Sequence, residues 1–121
     1  MKVKIKDREI QLIYCQRIFN KYEDMYKHTF TYDELSSHNA LTDLIYCTIC
    51  AAIEHHSNRE ALRGFVLTRE EFDDWFDDNS TIVNYDFTQW FTKEIQAQMD
   101  KLKAHVDANK KENVKEQDPK K

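Results

Sequence analysis

The sequence predicts a mainly α protein: an N-terminal β-hairpin packed on a small bundle of about four helices, followed by a disordered C-terminal tail. Three observations carry that expectation. The 121 residues include one glycine and one proline; these residues punctuate turns, so their scarcity favours long helices with polar connections. Apolar residues recur at spacings of three and four through most of the chain, the pattern of helices with one buried stripe. Only residues 1–12 alternate at period two, as a half-buried strand pair does.

In residues 3–14, Val3, Ile5, Ile10 and Leu12 alternate with Lys4, Lys6, Glu9 and Gln11. This reads as a hairpin turning around Lys6-Asp7-Arg8-Glu9, although no Asn-Gly or Asp-Gly pair marks the turn. A hairpin alone is marginal in water, so this one needs a surface to pack on. Lys2, Lys4 and Lys6 on the outer face guard against edge-to-edge pairing.

Cys15, Ile18, Phe19, Tyr22, Met25 and Tyr26 then predict an amphipathic helix over about 14–27. The β-branched and aromatic run His28-Thr29-Phe30-Thr31-Tyr32 has weak helix propensity and connects, and Asp33-Glu34-Leu35 adds a short turn. Ser36, Ser37 and Asn39 offer N-caps for a second helix ending near His56. Its apolar residues (Leu41, Leu44, Ile45, Ile49, Ala52 and Ile53, with Tyr46, Cys47, Cys50 and Ala51) leave few polar sides, which places it mid-bundle. Residues 57–64 are a polar loop.

Residues 67–78 are the most informative stretch. Thr68 and Glu71 form a capping box, and Phe72, Trp75 and Phe76 share one helical face amid six carboxylates and a single cation, Arg69. Asp78-Asn79-Ser80 reads as a stop and a fresh cap. Val83, Phe87, Phe91, Ile95, Met99, Leu102 and Val106, with Trp90 alongside, predict a long last helix to about Asn109. A single domain therefore spans 1–109. Residues 110–121 form a charged tail with Val114 as its only large apolar residue.

The net charge of −4 gives no electrostatic case for nucleic acid, and no helix clusters Arg or Lys as a recognition helix would. The longest apolar run, 44–53, is too short to span a bilayer. Three cysteines, an odd number, and the polar start Met1-Lys2-Val3-Lys4 lead to the expectation of a reducing cytosol. A domain of this size buries roughly 65% of the surface its unfolded chain exposes and needs neither disulfide nor metal.

Cys47-Thr48-Ile49-Cys50 has the spacing of zinc and redox motifs, with His55 and His56 close behind. Its place inside an apolar helix, without a second Cys/His pair, reads as core packing, where cysteine acts as a small hydrophobe. His28, His38, His55, His56 and His105 match no metal motif; Glu54-His55-His56 reads as cations at a helix C-terminus. Asp73, Asp74, Asp77 and Asp78 lack the alternation, glycine and closing glutamate of a calcium loop and read as a solvated face. Neither a metal, a cofactor nor a small-molecule substrate is expected.

The order of these parts resembles the tail assembly chaperones of long-tailed bacteriophages. The likeness runs over about residues 1–105: the strand pair around Lys2-Val3-Lys4-Ile5 and Glu9-Ile10-x-Leu12, the helix with Ile18, Phe19 and Tyr22, the apolar helix with Leu41, Leu44 and Ile45, and the acidic segment Leu67 to Asp77. The resemblance implies a non-enzymatic protein of the bacterial host cytoplasm. It would coat the helical tape-measure protein until tail-tube subunits assemble, with the tail-tube protein as a further partner and self-association open. It implies partner contacts through Phe72, Trp75, Phe76, Asp73, Asp74 and Asp77, and through Trp90 and Phe91. From the residues alone, core placement is favoured over an interface role for Trp75 and Trp90. The alternative function is a small intracellular protein-binding regulator or adaptor.

Overall fold

Alternation of Val3, Ile5, Ile10 and Leu12 builds the hairpin expected of it. In the computed structural model, which describes the backbone of residues 1–117 and the side chains of residues 1–110, β1 (Lys2–Ile5) and β2 (Arg8–Gln11) pair antiparallel with Val3 opposite Ile10. The four apolar side chains are buried. Lys6 and Asp7 form the two-residue turn, both left-handed at φ 53° and 62°, the type I′ geometry that matches strand twist. A glycine at either place would carry less strain.

Helix α1 (Gln16–Tyr26) buries Ile18 and Tyr22. It stops where Lys27 turns left-handed at φ 63° and its N–H meets the Glu23 carbonyl, a common helix ending. Phe30, in the following connection, packs edge-on against Tyr22 at 5.5 Å. A short 3₁₀ turn (Tyr32–Ser36) leads to α2 (His38–Glu54), whose first turn is capped by the Ser37 hydroxyl. Nine residues of α2 are buried, from Ala40 to Ala52. This is the central helix foreseen from its nearly continuous apolar surface.

Side-chain bonds to backbone carbonyls tie down the chain after α2. Asn58, in the 3₁₀ turn His56–Asn58 and 9% exposed, donates to the Gln11 carbonyl at 3.1 Å and the Ala52 carbonyl at 2.8 Å. It thus joins the end of β2 to the last turn of α2. Arg17 of α1 satisfies the Glu54 carbonyl at 2.8 Å, and Arg8 the Ala61 carbonyl at 3.0 Å.

The capping box forms as expected: the Glu71 carboxylate accepts from the Thr68 N–H at 2.9 Å, and the Thr68 hydroxyl accepts from the Glu71 N–H at 3.2 Å. The helix it opens corrects the sequence reading. Asp78-Asn79-Ser80 neither stops nor restarts it; α3 runs unbroken over Arg69–Gln117, so the described residues hold three α-helices rather than four. Asn79 turns its amide back onto the Trp75 carbonyl at 2.7 Å, a bond compatible with helix, instead of capping forward. With no glycine or proline in residues 69–117, the local cost at Asn79 and Ser80 is only ~0.5 kcal/mol each. Burial of Phe72, Phe76, Val83 and Phe87 on both sides of that point outweighs it.

The fold divides into two compact units, Met1–Trp90 and a second beginning at Phe91. In the first, hairpin, α1 and the beginning of α3 surround α2. In the second, α3 continues with Phe91 and Ile95 buried and Met99, Leu102 and Val106 exposed. The helical backbone extends through 110–117, where the charge pattern predicts a tail; the remainder of that tail, 118–121, lies outside the described residues. Among the described residues no helix is long and apolar enough to cross a membrane.

Candidate partner-binding surface

The start of α3 is held by a polar cluster that sequence patterning does not reveal. Arg69 donates to Asp43 of α2 at 2.7 Å and to Asp73, one turn on, at 2.9 Å. Its guanidinium lies over the Tyr46 ring at 4.9 Å and the Phe72 ring at 5.6 Å. Asp43 also accepts from the Tyr26 hydroxyl of α1. Burial, then the Asp43 carboxylate, pushes the Tyr26 hydroxyl up to about 12. Burial pulls the Arg69 pKa down, and the hydrogen bonds to Asp43 and Asp73 more than offset it. Planar guanidinium, carboxylates and ring faces are suited to such a joint between three helices.

This cluster sorts the residues expected to meet a partner. Asp73 is engaged within the chain. Phe72 is fully buried and packs on Tyr46 at 5.0 Å; Phe76 is 7% exposed and stacks on Phe72 at 5.4 Å. Phe91 is fully buried. These three rings are core, contrary to the expectation of a surface role, because the four-step rows that contain them are also the rows α3 buries. Trp75 and Trp90 are half-buried. Trp75 contacts Phe72 at 6.0 Å and Phe76 at 6.4 Å. Trp90 contacts Phe87 at 5.9 Å. Asp74 and Asp77 are exposed.

Two residues belong with Trp75 that the sequence reading passed over. Ile82 is 70% and Tyr85 67% exposed. With Trp75 and Asp78 they step at three, four and three, so all four share one face of α3. Asp74 and Asp86 border it, and both are exposed; Asp77 falls on another side of the helix. The available signal was an isoleucine and a tyrosine lying off the Val83–Phe87 row, since apolar residues outside a helix's buried stripe point to a second surface. The result is an open, apolar, acid-bordered strip one helix wide.

The remaining candidates have local duties. Burial pushes the Cys47 thiol up to about 12 and raises that of half-buried Cys50, so neither is primed as a thiolate nucleophile. Among the described residues no three His, Cys, Asp or Glu side chains are grouped to hold a metal ion. His55 ends α2, and its Nδ1 accepts from the Ser57 N–H at 3.2 Å. Desolvation, then His56, Arg17 and Arg59, lower its pKa. Lys6 pairs with Glu71, linking the hairpin turn to the first turn of α3.

No family model, no curated protein and no solved structure matches the chain.

Proposed function

We propose that this chain is a non-enzymatic chaperone that binds a long amphipathic helical client and keeps it soluble. The client class is the tape-measure protein of a long-tailed phage, bound in the host cytoplasm before tail-tube protein assembles around it. One observation carries the reading: exposed Ile82 and Tyr85 share one face of α3 with half-buried Trp75 and with Asp78, and Asp74 and Asp86 border that face. Such a strip receives the apolar face of a helix, while its carboxylates meet Lys or Arg on that helix. The same carboxylates oppose the pairing of two such strips with each other. Individually weak contacts repeated along an extended client add through avidity.

The experiment is co-expression with the longest reading frame downstream of this gene, followed by affinity capture. The expected product is a soluble complex with a long helical protein. The pair Ile82→Asp and Tyr85→Asp lowers its recovery by roughly tenfold or more, since central apolar anchors dominate binding energy. Failure of the unaltered chain to capture that product, or capture that ignores the paired substitution, overturns the reading.

A further inference from the structure

Unit two carries a second open strip. Met99, Leu102 and Val106 step at three and four along α3 and are 56%, 55% and 40% exposed. Helical spacing places Lys103 and Lys110 along one border of this strip and Gln98, His105 and Asn109 along the other. Asp100 and Asp107 fall on the outer side, where Asp100 accepts from Gln96 at 3.0 Å. No carboxylate lies three or four residues from Met99, Leu102 or Val106, whereas every charged residue around Ile82 and Tyr85 (Asp74, Asp78 and Asp86) is acidic, the rest of their border being neutral.

We propose that the lysine-bordered strip of one copy (Met99, Leu102, Val106) docks on the acid-bordered strip of a second copy (Ile82, Tyr85). The occupant is decided by charge. Two copies of the same strip offer each other no charge of opposite sign, and like charges brought together across an interface are penalised. Unlike strips place Lys103 and Lys110 against Asp74, Asp78 and Asp86 while the five apolar side chains leave water. The contact is heterologous, joining two different patches of the same chain. It uses the acid-bordered strip already assigned to the client, and it makes a second copy the occupant of that strip when client is absent.

The test uses the full chain alone, so its failure leaves the client reading standing. Sedimentation velocity follows association against protein and salt concentration for the unaltered chain. Two charge reversals are compared, Lys103→Glu with Lys110→Glu, and Asp78→Lys with Asp86→Lys. All four side chains are exposed; Leu102→Gln provides a further variant without charge change. The unaltered chain is expected to associate, less so at high salt. Each charge reversal and Leu102→Gln weaken association by roughly tenfold. An equimolar mixture of the two reversed proteins associates again, because each supplies the unlike strip that the other has lost. A chain that stays monomeric at every concentration overturns the proposal. So does association that survives both reversals, or a mixture that remains dissociated.

Discussion

Arg69 and Asp43 meet at 2.7 Å across 26 residues of chain, and that pair fixes where α3 begins against α2. The Arg69 side chain is 40% exposed and that of Asp43 18%, so the pair is only partly shielded from water. Its removal also leaves Asp73 and the Tyr46 ring without their cation. Arg69→Ala is expected to lower unfolding free energy by about 2 kcal/mol, the usual cost of losing hydrogen bonds to a half-buried charge. Urea denaturation measures it; an unchanged midpoint would mean the joint is decorative.

Asn58 bridges two backbone carbonyls, Gln11 and Ala52. Asn58→Ala leaves these acceptors without their side-chain donor at the junction of hairpin and central helix. A loss of ~1–3 kcal/mol follows, with hydrogen exchange rising first in β2 and the last turn of α2.

Asp7 holds a left-handed backbone at φ 62°, where glycine carries no Cβ penalty. Asp7→Gly is expected to stabilise the chain by ~1 kcal/mol. Thermal unfolding checks the direction; a lower melting temperature would show that the Asp7 side chain contributes more than the strain it brings.

Glu71 links acidity to stability. The Lys6 ammonium, then the Thr68 N–H, hold its carboxyl at about 2, below the ordinary 4.5. A depressed carboxyl contributes stability that is complete above its unfolded value and lost as pH falls through its folded one. Part of the acid loss of stability therefore lies between pH 4.5 and about pH 2. Glu71→Gln should flatten the stability profile in that window, measured as denaturation midpoint against pH; an unaltered slope would remove Glu71 as the linked group.

Trp75 and Phe76 are adjacent in sequence yet differ in role. Phe76→Ala empties a core position and is expected to cost ~3–5 kcal/mol. Trp75→Ala should cost far less stability while weakening client capture. Equal destabilisation by both would place the indole in the core and away from any partner.

Much of the fold is legible locally. Alternation around Val3 and Ile10 announces the hairpin, the Thr68–Glu71 pair announces the start of α3, and the apolar circumference of residues 41–53 announces the central helix. The helix break expected at Asp78-Asn79-Ser80 fails because capping residues are signals only where no tertiary contact opposes them, and here Val83 and Phe87 hold the helix through. The candidate site was half-readable. Acidity, Trp75 and Asp74 are visible in the string, while Ile82 and Tyr85 hide among residues that look like part of a single stripe.

Local chemistry in the chain was enough to specify element types, caps and the acidic character of α3, since each depends on neighbours within about four positions. Which aromatic rings face inward was decided by packing. Phe72 is core because Tyr46 of α2 meets it from elsewhere in the chain, Phe76 is buried and stacks on Phe72, and Ile82 and Tyr85 are surface because nothing in the described fold covers them. Burial is a property of what arrives from elsewhere in the chain, and periodicity along one helix carries no record of that arrival.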